Sequence, residues 1–161
     1  WLSGQWMNGA WMKGTWNPEH RMKGLWNPEH SSSNPCRWHD GTWASGDWYG
    51  GLWIKGTWLS GTWRDGVWSD GVWCNGTWHD GTWNGGTWLS GSWRIGTWTA
   101  GTWYNGTWNG GKWLGGKWIT GYIMHPVTSM LVQSNVSPAE FYNSLSSDGR
   151  GYDPQDEDDS K

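Results

Sequence analysis

The chain has 161 residues and carries 22 Trp and 27 Gly against a single Phe, so tryptophan must supply whatever core it has. Its 11 Lys and Arg against 14 Asp and Glu give a net charge of −3, divided as +2 over residues 1–121 (9 basic, 7 acidic) and −5 over residues 122–161 (2 basic, 7 acidic). Neither part has the basic excess of a nucleic-acid-binding surface. No membrane-spanning segment is legible, so neither nucleic acid nor membrane is an expected partner. The two cysteines, Cys36 and Cys74, have neither metal-ligand spacing nor a disulfide framework and read as unpaired thiols. The chain opens inside a repeat at Trp1, without an initiator Met, so no targeting signal is expected to be readable.

Residues 1–30 form a first, irregular set of five-residue units. Trp1, Trp6, Trp11, Trp16 and Trp26 keep the spacing, and Arg21 occupies one tryptophan slot. Met12 to Arg21 (MKGTWNPEHR) is nearly repeated by Met22 to Ser31 (MKGLWNPEHS). The Asn-Pro after each Trp favours extended geometry and then a turn. His20 and His30 each follow a Glu, a pairing that could ligate a metal. It is read as a turn shared by the two copies, with no metal site. The spacing from Trp26 to Trp38 is two residues more than two units, which predicts a loop at residues 31–37, a candidate partner contact.

Over residues 38–121 the pattern is unbroken: a Trp every five residues from Trp38 to Trp118, each followed three residues later by Gly. Five is not a helical period, and each Gly would cost a helix about 1 kcal/mol. Thr, Val and Trp favour strands. Of the 17 units, 13 place Asp, Asn, Ser or Gly directly before the Gly, as in Asp65-Gly66 and Asn75-Gly76. Such pairs mark sharp turns. Each unit is therefore a short strand and a corner. Ordering five residues costs roughly 5–10 kcal/mol. Burying one indole contributes about 5 kcal/mol. The terms are of similar size, so nearly every Trp must be buried.

Two backbones meet that requirement. In a β-solenoid each unit is one side of a coil, with the Trp and the Gly two residues before it pointing inward. In a narrow antiparallel β-meander each Asx-Gly pair is a hairpin turn. The solenoid covers its own core and is the expected form; the meander is the alternative. Positions beside the Trp show no ten- or twenty-residue super-period, so the number of sides is not fixed. The variable positions mix Ile54, Leu59, Leu89, Leu114 and Ile119 with Arg64, His79 and Arg94, which suggests packing against neighbours.

The unit G-T-W-x-[DNSG], as in Gly76-Thr77-Trp78-His79-Asp80, resembles the pentapeptide-repeat family. That resemblance implies a right-handed, four-sided β-helix, with Trp in place of the central Leu or Phe and Gly in place of the small inward Ala. The fragment G-x-W-x-[DN]-G is also similar to the hairpin half of a MORN repeat. The low-complexity G-T-W-x-[ND] runs are similar to those in predicted proteins of tailed phages and other viruses.

After Gly121 the period ends and Ile123 takes the next Trp slot. Tyr122 to Gln133 is apolar and β-branched and is expected to cap the open core. Ser137-Pro138-Ala139-Glu140 is a capping box that predicts a short helix over residues 138–145, with Phe141 and Leu145 on one face. The cap thus covers residues 122–145. Residues 146–161 form an acidic tail that would order only against a basic partner.

No nucleophile motif, phosphate loop or dinucleotide fingerprint is present. His39, His79 and His125 are isolated and read as surface or turn residues. No catalytic, cofactor-binding or metal-binding residue is assigned, and an enzyme is not expected. Thr rows beside the Trp suggest an ice-binding ladder, but the mixed charges around them speak against a flat one. The pentapeptide-repeat resemblance also implies DNA mimicry against a topoisomerase, which the +2 charge of residues 1–121 opposes. The expected role is a structural subunit of a large assembly, such as a decoration, fibre or scaffold component of a phage or viral particle, located in the virion. It would contact other subunits through the 31–37 loop, the 138–145 helix and the acidic tail. The alternative is an adhesin gripping cell surfaces or carbohydrate with exposed indoles.

Overall fold

The structure is a computed structural model that describes residues 37–147 together with three short strands before them. These are β1 (Ala10–Trp11), β2 (Thr15–Trp16) and β3 (Leu25–Trp26). Seventeen two-residue strands, β4 (Arg37–Trp38) to β20 (Lys117–Trp118), follow at five-residue intervals. Then come β21 (Gly121–Met124), β22 (Leu131–Ser134) and helix α1 (Pro138–Ser147). The acidic tail beyond Ser147 lies outside the described residues.

Pairing is parallel and fifteen residues apart within the regular array. Trp73 lies opposite Trp58 on one side and Trp88 on the other. Three units therefore make one coil, and three parallel sheets of seven, seven and eight strands enclose the core. Among the described residues the one antiparallel pair is β21 with β22, so the fold is the solenoid and not the meander. Each coil hangs from the one below by two kinds of backbone bond. The N–H of Ile54 donates to the carbonyl of Trp38 at 2.8 Å, and that of Thr57 donates to the carbonyl of Gly41 at 2.8 Å. The same pair recurs up the array.

The solenoid has three sides, where the family resemblance implied four. Ring geometry explains why. Indoles fifteen residues apart stack at 4.8 Å with planes 5–7° apart, as in Trp63–Trp78 and Trp73–Trp88. Rings that repeat every ~4.8 Å can touch at about 3.5 Å only by leaning about 43°. Three columns leaning so, related by a threefold rotation, cross at about 73°; four columns would cross at about 58°. Successive indoles from Trp53–Trp58 to Trp108–Trp113 cross at 72–78°, edge to face. With three columns each touches both others. With four, diagonal columns would part and leave a channel on the axis. Every indole from Trp48 to Trp108 is 0% exposed.

The glycines make the corners, as the Asx-Gly pairs predicted, and each corner sits directly on the one a coil below. Gly76 has φ of +128°, and a Cβ there would lie 2.4 Å from the carbonyl oxygen of Gly61 in the coil below. An L residue has no room and the wrong φ. The preceding Asx side chain satisfies the corner N–H: Asn75 Oδ1 accepts from Gly76 at 2.8 Å, and Asp70 Oδ1 from Gly71 at 2.8 Å.

Below β4 the spacing changes. β2 and β3 lie on consecutive sides ten residues apart, and β3 and β4 twelve apart. Between Trp16 and Trp38 the register thus accommodates two units fewer than the five-residue spacing suggested, and Arg37, placed with the loop by spacing, opens a strand. Both NPEH copies, Cys36 and the rest of the 31–37 loop lie outside the described residues.

The far end is closed in part, by β21, Ser134 and α1, while residues 127–133 of the expected cap are exposed and Trp113 stays partly exposed. Ile123 takes the slot above Trp108 and is fully buried. β22 returns across the end, and the Trp118 indole N–H donates to the carbonyl of Ser134 at 3.0 Å. The capping box forms: Glu140 Oε2 accepts from the Ser137 backbone N–H at 2.9 Å and from its hydroxyl at 2.8 Å. Phe141 and Tyr142 pack on the core, and the Tyr142 hydroxyl donates to the carbonyl of Met124 at 3.2 Å.

The corner geometry yields a direct comparison. Gly76→Ala should cost about 2–4 kcal/mol by denaturant unfolding, through strain and overlap with Gly61. Gly85→Ala should stay within about 0.5 kcal/mol, because Gly85 sits just before a corner, its φ is not in the left-handed region and its Cβ site is 3.4 Å from its nearest neighbour, the Ser69 carbonyl. Equal losses at both positions would refute the stacked-corner account.

Candidate functional site: three faces of unlike chemistry

The residue before each Trp and the two after it form the outside of the solenoid. Because the coil repeats every fifteen residues, every third unit shares a face. The first face carries Trp38 and its stack up to Trp113, the second Trp43 to Trp118, and the third Trp48 to Trp108 with Ile123 above. Residues 37–125 contain 11 Asp, Lys and Arg residues and no Glu: five on the first face, five on the third and Lys117 alone on the second.

On the third face the residues after the core position form the column Tyr49, Arg64, His79, Arg94, Asn109 and Met124. Arg64 Nη2 lies 3.8 Å from Asp47 Oδ2, and its guanidinium sits 5.6 Å from the centre of the Tyr49 ring. Arg94 Nη1 lies 3.4 Å from His79 Nδ1. Donation in that direction leaves the imidazole proton on Nε2. Asn109 Nδ2 donates to the Trp93 carbonyl at 2.8 Å and to Ser92 Oγ at 3.3 Å. A concavity here is lined by His79, Asp80, Ser92, Arg94 and Asn109. It sets one carboxylate against one guanidinium, so it favours neither an anion nor a cation.

Burial lowers the His79 pKa below its ordinary 6.5, the Arg94 and Arg64 charges lower it further, and Asp47 opposes them. His125 serves the turn below α1, its Nδ1 accepting from the N–H groups of Val127 and Thr128 at 3.3 Å. His20 and His30 lie outside the described residues. Among the described residues no three His, Cys, Asp or Glu side chains gather as a metal site, and no helix is long and apolar enough to cross a membrane.

The second face differs. The residues after its Trp form the ladder Ala44, Leu59, Cys74, Leu89, Tyr104 and Ile119. Leu59, Leu89, Tyr104 and Ile119 are exposed. Thr or Val precedes each Trp except the last, and Ser, Asn or Thr fills the corner position. The mixed charges that opposed a flat Thr ladder belong to the other two faces. Cys74 is a free thiol in mid-ladder, its pKa raised by burial. This face escaped the sequence reading because its signal has a fifteen-residue period, apparent only once the number of sides is known.

Of the expected partner contacts, α1 turns Phe141 and Tyr142 onto the chain's own core, which leaves its polar side outward. No family model, curated protein or solved structure matches the chain.

The third face carries a pH test. His79 resists protonation in the fold, so its contribution to stability is complete above pH 6.5 and declines as pH falls through its lowered folded value. Its NMR titration midpoint should lie below 6.5 and move up in Arg94→Met, with burial keeping part of the shift. An unmoved midpoint in that variant would show that the Arg94 charge does not act on His79.

Proposed function

We propose that this chain is a non-enzymatic structural rod of a large assembly, serving as a decoration, fibre or scaffold-like subunit. The observation that carries this reading is the continuous indole core. Each coil templates the next through stacked rings and a parallel ladder, giving a rigid body whose faces repeat every ~4.8 Å. Rigid arrays of this kind suit the spacing and bracing of other subunits. The likeness of the G-T-W runs to phage and viral proteins makes a virion the proposed setting. The adhesin alternative needs indoles at the surface. The indoles from Trp38 to Trp108 are buried, at 0–1% exposure, which favours the structural role.

Rate-zonal sedimentation of material from the native source tests the proposal. The chain should travel with a high-mass particle, and antibody labels should fall at fixed positions on it by electron microscopy. Recovery as free chain that binds a glycan array saturably would replace this reading with the adhesin.

A further inference from the structure

We infer that the second face is a self-association surface, and that its occupant is the same face of a second copy of this chain. The inference deepens the assembly role proposed above and rests on it only for biological context. Three features of the face select the occupant.

The first is charge. Lys117, at the far end, is the sole charged residue on this face between residues 37 and 125. A partner with an ordinary charged surface would leave its charges desolvated and unpaired there. An uncharged partner does not, and the same face of a second copy carries no charge but Lys117.

The second is repeat. The exposed ladder rises one residue per coil, so its side chains recur at the strand spacing of ~4.8 Å. Interdigitation along the whole length needs a partner with the same repeat, as in the dry seams between paired sheets. A second copy has that repeat by construction. The ladder also begins small, large, small, large at Ala44, Leu59, Cys74 and Leu89. An antiparallel mate rotated about an axis between the Cys74 and Leu89 rungs sets Cys74 against Leu89 and Ala44 against Ile119. Small then faces large on those rungs, the exposed Leu59 and Tyr104 face each other on the remaining two, and all six rungs overlap. The isologous twofold is the commonest way for such a patch to pair with itself.

The third is area. Six rungs of ~4.8 Å and a strand width of about 13 Å present a projected ~370 Å² per copy. The pair would bury roughly 740 Å² of projected area, in the range of weak, transient interfaces. Association should therefore be reversible, with a dissociation constant on the order of 10–100 µM.

Sedimentation velocity of the full chain from about 1 to 500 µM reads this out. The mass should double across the range, and the double variant Leu59→Glu, Leu89→Glu should stay monomeric throughout. Ile95→Glu, at an exposed position on the third face, should dimerise as the parent does. In a Cys36→Ser background a short bismaleimide should link two copies through Cys74, and dilution below the dissociation constant should abolish the link. A parent chain that stays monomeric at the highest concentration overturns the inference. So does equal loss of dimer in the Ile95 variant, open-ended fibres in place of dimers, or thermal hysteresis by a monomer, which would assign the face to ice. Dimerisation in solution without membership of any particle would uphold this inference and count against the assembly role. Membership of a particle by a monomeric chain would do the reverse.

Discussion

The structure turns on a mismatch between two lengths. A parallel ladder fixes the rise per coil near ~4.8 Å, while flat aromatic rings touch at about 3.5 Å. Upright stacks would leave a gap at every step and lose much of the dispersion energy of the core. The rings remove the gap by leaning, and the lean dictates how columns meet. At the observed crossing near 75°, as in Trp103–Trp108, each indole offers an edge to its neighbour's face, the arrangement its quadrupole prefers. One tilt thus satisfies the ladder, the stack and the edge-to-face contact together, and it does so with three sides. A smaller central residue has no flat face to align and is free of this constraint.

The same rings bring a polar cost inside. Each indole carries an N–H, and among those from Trp53 to Trp108 only Trp88 closes a hydrogen bond, to the carbonyl of Asn105 at 3.1 Å. The others remain buried without one. An unsatisfied buried donor costs about 1–3 kcal/mol. Burying the ring contributes about 5 kcal/mol, more than the unsatisfied donor costs. The donors gather under the corners: the Trp73, Trp83 and Trp98 nitrogens lie 3.1–3.3 Å from where a Cβ of Gly91, Gly101 and Gly116 would sit. A methyl group there would meet the carbonyl of the coil below and the indole nitrogen at once. The corner glycine is thus held by φ, by the backbone beneath it and by the ring.

Much of this was legible in the residues. The burial of the indoles follows from five-residue energetics. The corner follows from Asx-Gly, the end of the array from Ile123 in a Trp slot, and the α1 start from Ser137 and Glu140. The number of sides was not legible, because it depends on ring against ring in three dimensions and no propensity encodes it. The stacking of one corner on the next was not legible for a related reason: Asx-Gly marks a turn, and only the register shows Gly76 lying over Gly61. The spacing near Trp26 misled because tryptophan slots were counted as sides, whereas pairing of Thr15 with Thr42 and Leu25 with Asp47 fixes the sides independently.

A core built from one residue type has a consequence for the surface. Every rung is interchangeable inside, so the core places no demand on which outward residues share a face, and the three faces are free to diverge. On the third they carry Arg64, His79 and Arg94 in a column where burial and crowded cations make one imidazole harder to protonate. On the second they carry Leu59, Leu89 and Ile119 with almost no charge. Solubility alone would not sort the residues in this way, since an isolated rod gains most from charges spread over all sides. A rod with one nearly uncharged side and two charged ones has a direction around its axis as well as along it, and that is what a body needs if it is to be placed against something else.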